Sequence, residues 1–105
     1  MSRFTLAFAM ALATSTSAFA SSDTAWADFA KDVSAKCLKA VEGRLEKPSI
    51  VVDPFGTESH GVALLNGKAA GADATVSYFC VYDKQDKTVQ IGSELPADTL
   101  GVTIP

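Results

Sequence analysis

A chain of 105 residues carrying a net charge of −3 at pH 7 has room for one small domain. It is too short for a two-domain enzyme with a cleft between its domains. Its acidity and lack of a basic run argue against nucleic acid or an anionic membrane surface as a partner. The hydrophobic fraction of 48% is inflated by the first twenty residues, yet the remainder is still ordinary for a globular chain rather than a disordered or collagen-like one.

Residues 1–20 contain Arg3, an apolar run from Phe4 to Ala13 and the small-x-small ending Ala18-Phe19-Ala20. These are the three parts of a cleavable secretory signal peptide. The apolar run falls short of the roughly 20 residues a membrane-spanning helix needs. No cysteine stands near the expected cut to carry a lipid, and no twin-arginine pair precedes the run. The expectation is cleavage after Ala20. The product is a single small domain, residues 21–105, that is periplasmic or secreted, does not insert into the membrane and is a monomer. No cofactor is implied.

Thr24 to Glu42 reads as a helix. Trp26, Phe29, Ala30, Val33, Cys37, Ala40 and Val41 recur at three- and four-residue steps, with charged residues on the other faces. Ser22 or Asp23 can cap its start, and Gly43 suits the left-handed position past its end. After Pro48 the period shortens to two. Four strands are predicted: Ser49–Asp53, Glu58–Leu65, Ala74–Tyr82 and Thr88–Gly92. They are separated by Asp53-Pro54-Phe55-Gly56, by Asn66-Gly67 with a small-residue loop to Asp73, and by Asp83–Lys87. Such short connections hold no crossover helix, so neighbouring strands should be antiparallel. The stretch Gly67–Ala72 reads as a mobile loop. Pro96 opens a tail whose Val102-Thr103-Ile104 can add an edge strand or stay loose.

Cys37 lies on the apolar stripe of the helix, and Cys80 lies inside the third strand on the face of Val76, Tyr78 and Tyr82. In an exported chain such a pair is expected to form a structural disulfide. Closing the long loop between them would contribute about 4 kcal/mol. The fold class that follows is α+β, an N-terminal helix clamped to a four-stranded antiparallel meander. Trp26, Phe29, Val33 and Val41 are expected to pack on Val76, Tyr78, Val62, Leu64, Val89 and Ile91. Phe79 and Val81 then fall on the far face with Ala63 and Leu65, where the tail, through Leu100, Val102 and Ile104, is expected to cover them.

The segment Asp53-Pro54-Phe55-Gly56-Thr57-Glu58-Ser59-His60-Gly61 concentrates the chemistry. It holds the only histidine, two carboxylates and a rigid turn. One histidine does not make a zinc site, although Glu58 and His60 would share a strand face and could take a metal opportunistically. Ser59 beside His60 points to the opposite face, so the two cannot easily exchange a proton. Gly67-Lys68 lacks the phosphate-loop spacing, and Asp83 and Asp86 lack the alternate oxygen ligands of a calcium loop. No catalytic residue and no metal ligand is assigned. The candidate binding residues are Asp53, Pro54, Phe55, Gly56, Glu58 and His60. Pro54 fixes the turn, and Phe55 at its tip is either an exposed anchor or, the favoured expectation, folded onto the sheet edge to close the core.

The runs Val52-Asp53-Pro54-Phe55-Gly56-Thr57-Glu58-Ser59-His60-Gly61 and Tyr78-Phe79-Cys80-Val81-Tyr82-Asp83-Lys84 resemble small uncharacterised exported proteins of alphaproteobacteria. That resemblance implies a place in the cell envelope and brings no activity. The leading expectation is a non-enzymatic binding or inhibitor-like module of the envelope, with another envelope protein as partner. The alternatives are a small hydrolase or metal-dependent enzyme using His60, and a structural or stress-related envelope protein.

Overall fold

The computed structural model describes residues 18–101 together with residue 104. Most of the expected leader, and Val102 and Thr103 of the tail, lie outside the described residues. The architecture is α+β, one long helix packed on an antiparallel sheet. Helix α1 spans Ala18–Ala40 and β1 spans Leu45–Val52. Strand β2 is His60–Ala69, β3 is Thr75–Asp83 and β4 is Val89–Ile91. A short β5, Leu95–Pro96, leads into a single helical turn, α2, at Ala97–Leu100. The sheet order is β1-β2-β3-β4, and β5 pairs with β3 beyond the end of β4.

Helix α1 starts earlier than the sequence suggests. Ser22 and Asp23 are not caps but lie inside it, because the alanine-rich approach is itself helix-forming. The expected cut after Ala20 falls in its first turn. The buried stripe of α1 is Val33 and Cys37, continued by Val41 in the turn just past its end, each four residues apart and fully buried. Gly43, in the left-handed conformation as expected, turns the chain out of the helix into β1.

On the sheet, Leu45, Ala63, Leu65, Ala69, Val76, Tyr78, Cys80 and Tyr82 complete the core. Cys37 and Cys80 form the disulfide that ties helix to sheet, with Cα atoms 5.9 Å apart. The β2–β3 register sets Ala63 opposite Cys80 and Leu65 opposite Tyr78, so these residues share the helix-facing side. This corrects the expected face of β2, because Val62 and Leu64 face away from the helix, opposite Val81 and Phe79. Both faces of β2 are apolar, so alternation alone cannot choose between them. Size chooses. A Cβ on Gly61 would come within 2.8 Å of the Phe29 ring and 2.9 Å of the Val33 side chain. The helix therefore seats on the face where Gly61 and Ala63 leave it room.

Two further expectations are corrected. Gly67 belongs to β2, where the β1 backbone approaches it closely; a Cβ there would lie 3.1 Å from the Glu46 carbonyl oxygen. The turn that follows is held by Ala69 N–H on Ala74 O at 2.8 Å and Ala70 N–H on Arg44 O at 2.9 Å. Strand β2 begins at His60, so Glu58 stands in the bend before it. The expectation for Val102-Thr103-Ile104 falls largely outside the described residues; a short additional strand comes from Leu95–Pro96. With α2 it packs beside the Val76–Tyr78 end of β3, where Ser77 is buried and its hydroxyl accepts from Asn66 Nδ2 at 2.9 Å. Phe79 and Val81 stay open at 41% exposure each. Among the described residues no helix is long and apolar enough to cross a membrane.

Candidate functional site

An open groove of about 660 Å³ runs between the middle of α1 and the turn joining β3 to β4. Trp26, Asp28, Phe29, Asp32 and Lys36 form the helix wall. These residues are neighbours because steps of three and four bring side chains onto one face of a helix. The opposite wall is Tyr82, at the end of β3, with Lys84 and Lys87 in the turn beyond it.

Aromatic rings form a continuous edge-to-face chain through this region. Phe55 meets Trp26 with ring centroids 5.2 Å apart, Trp26 meets Phe29 at 5.8 Å, and Phe29 meets Tyr82 at 5.5 Å. Such geometry sets the positive edge of one ring against the negative face of the next. Lys84 completes the arrangement. Its ammonium sits 5.3 Å from the centre of Trp26 and 5.1 Å from that of Phe29, in range of cation–π attraction.

The polar groups deep in the groove are paired. The Tyr82 hydroxyl donates to Asp32 Oδ2, and Lys36 Nζ donates to the same oxygen at 3.1 Å. Lys36 also reaches the Lys87 carbonyl at 2.7 Å. The Tyr82 hydrogen bond, with the nearby Lys36 charge, holds the Asp32 carboxyl below its ordinary range. Burial, reinforced by the bond to Asp32, pushes the Tyr82 phenol up to about 12. Tyr82 is thus a firmly protonated donor and Asp32 a fixed anion. This pair orients and holds; it does not supply a proton-accepting base near neutral pH.

The segment singled out in the sequence forms one rim of the groove. Asp53 Oδ1 accepts the Phe55 and Gly56 N–H groups at 3.1 and 3.0 Å. The Gly56 N–H, followed by that of Phe55, lowers the Asp53 carboxyl pKa. Gly56 has φ +70°, and a Cβ there would fall 2.2 Å from the His60 carbonyl oxygen, so only glycine fits. Thr57 closes the loop, its N–H donating to His60 O at 2.7 Å while its hydroxyl accepts the His60 N–H at 3.0 Å. Lys84 then pins the loop to the hairpin through the Phe55 and Thr57 carbonyls at 2.8 and 2.5 Å. Phe55 is 57% exposed, so it does not close the core as favoured from the sequence. It leans on Trp26, itself 40% exposed.

The six candidate residues are not gathered into one place. Asp53, Pro54, Phe55 and Gly56 make the rim turn. Glu58 lies beyond it beside Ser59, Asp83, Lys84 and Gln85. His60 points to the sheet face away from α1, opposite Asp83, beside a shallow pocket of about 160 Å³. Glu58 therefore does not share a strand face with His60. The Asp83 carboxylate is already spent on the Asp86 and Gln85 N–H groups, which lower its pKa together with the His60 charge. Among the described residues no three His, Cys, Asp or Glu side chains gather in a way that could hold a metal ion.

Trp26, Phe29 and Tyr82 read as core in the sequence, and their role in a groove was missed. One signal was available. Trp26 and Phe29 extend the apolar stripe N-terminal to Val33, past the part of the helix that Cys37 anchors to the sheet. Comparison with family models, curated proteins and solved structures gives no match, so the geometry alone carries the functional reading.

Proposed function

We propose that this chain is an exported, non-enzymatic binding module that holds an apolar segment of another envelope protein in the groove between α1 and the β3–β4 hairpin. The observation that carries the reading is the pair of exposed rings, Phe55 and Trp26, held on a rigid frame. An aromatic anchor on a turn already fixed by Asp53, Thr57 and Lys84 loses little freedom on docking, which favours affinity. The signal-like first segment and the disulfide support export.

A photo-crosslinking residue tests the proposal when placed at position 55 in cells that produce the chain with its natural leader. Position 55 should capture one defined partner, and position 51, exposed on the other sheet face, should not. Against the captured partner, Phe55→Ala should weaken binding by about 2 kcal/mol or more, with little change in melting temperature. Equal capture from both positions, or full-strength binding by the variant, overturns the reading.

A further inference from the structure

Strand β1 forms one edge of the sheet, and among the described residues it pairs only with β2. The Asp53 N–H donates to Val62 O at 2.9 Å, which fixes the alternation along the ladder. Ser49 and Val51, at even steps from Asp53, turn their backbone groups toward β2, so Ile50 and Val52 turn theirs outward. Sheet edges are usually blunted by charge, proline or brevity. The opposite edge follows that rule, since β4 spans only Val89–Ile91. The run Ser49-Ile50-Val51-Val52 does not: it carries no charge, and Pro48 and Pro54 stand outside it at either end. Within it Val51 is 53% exposed on the face away from α1, in line with Leu64 and Phe79. We infer that β1 is the interface of a symmetric dimer, in which a second copy of this chain pairs its own β1 antiparallel along this edge, with Val51 opposite Val51.

The register follows from the strand's own pattern. With Val51 on the two-fold axis, Ile50 of each copy faces Val52 of the other. Every outward N–H and C=O of these residues then finds a partner, and the prolines end the pairing on both sides. Pairing centred on Ile50 instead would set Val52 against Pro48, which has no N–H to donate. The side chains match as well. Ile50 and Val52, partly buried at the rim of the core, close over each other on the helix side, and the exposed Val51 side chains meet on the other. Charge favours a second copy over an arbitrary strand. Antiparallel pairing brings the Lys47 end of one β1 to the Asp53 end of the other, at both ends by symmetry, and Lys47 has no ion pair among the described residues. A dimer departs from the monomer expected from the sequence, and it does not depend on the groove reading.

The test uses the chain with its disulfide formed. Sedimentation over a concentration series should show a reversible monomer–dimer equilibrium, as suits so short a paired segment. Hydrogen exchange should find the Ile50 and Val52 amides protected at high concentration and exposed on dilution, while the Val51 amide, directed at β2, stays protected throughout. Val51→Lys sets like charges face to face and should weaken association roughly tenfold or more, with the melting temperature of the monomer little changed. Lys47→Glu should weaken it roughly twofold to fivefold at low salt. Under mild oxidation Val51→Cys should give a crosslinked dimer, because facing residues of a non-hydrogen-bonded pair have Cα atoms about 4.5 Å apart. Ser49→Cys, on the same face but off the axis, should not. A chain that stays monomeric up to roughly 1 mM overturns the dimer. So does a dimer that Val51→Lys leaves intact, or equal crosslinking from positions 49 and 51, since either places the contact elsewhere. In cells, the photo-crosslinker at position 51 should give a product of twice the chain's own mass, distinct from the groove partner. Capture of a different protein there instead would assign the edge to that protein and overturn self-pairing.

Discussion

Tyr82 and Asp32 fix each other's charge, and the consequence is a stability that falls at both ends of the pH range. Asp32 is held below its unfolded value near 4, chiefly by the Tyr82 hydroxyl, so its contribution is present above that pH and is lost as pH falls through the folded value. Tyr82 is raised to about 12, chiefly by burial. Between pH 10 and that value the unfolded chain releases a proton the folded chain keeps, so stability falls as pH rises through this window. Tyr78, also buried and bonded to Glu94, is shifted the same way, and the chain has no other tyrosine. An absorbance titration should therefore show little tyrosinate at pH 10, followed by a steep rise that coincides with unfolding. Smooth half-ionisation at pH 10 would contradict the pairing. Tyr82→Phe should cost only about 1 kcal/mol, because the Asp32 side chain is 37% exposed and water can replace the lost donor.

The β3–β4 hairpin carries a local conflict. Lys87 has φ +60°, a left-handed conformation that costs a side-chain-bearing residue roughly 1–2 kcal/mol. The turn keeps it there through Lys87 N–H on Asp83 O at 2.7 Å, with the Lys87 carbonyl held by Lys36. Lys87→Gly should therefore raise stability by up to about 1 kcal/mol, measured by denaturant titration; a loss of stability would show the backbone there to be unstrained. The hairpin itself was legible, since Asp83 and a run of polar residues interrupt two apolar stretches. The strained residue was not, because a lysine carries no turn signal. The face of β2 was hidden for a different reason. Val62 and Leu64 outweigh Ala63 in hydrophobicity, but the space Phe29 and Val33 need at Gly61 decides which side meets the helix.

At the level of the entire chain, the disulfide does much of what a larger core would do. It closes a separation of 43 residues, and loop-closure entropy sets its contribution at about 4 kcal/mol, a large share of a small domain's net stability. Replacing both cysteines by alanine should lower stability by about that amount, and reductant should shift the denaturation midpoint of the natural chain. An unchanged midpoint would place the stability elsewhere. The helix, the antiparallel order and the cysteine pairing were all legible, because periodicity and short connections constrain them locally. The groove was not. Its walls come from residues 25–36 and 82–87, its rim from residue 55, and no local pattern records that these segments meet. The same covalent bridge also sets how a pull on the chain would travel. Tension entering through α1 crosses from Cys37 to Cys80 and leaves through β4, bypassing β1, β2 and the Phe55 turn inside the ring. Both groove walls lie outside that ring, one on each arm of the loaded path. A force applied at the ends therefore loads both groove walls directly, while β1, β2 and the Phe55 turn inside the ring carry none of it.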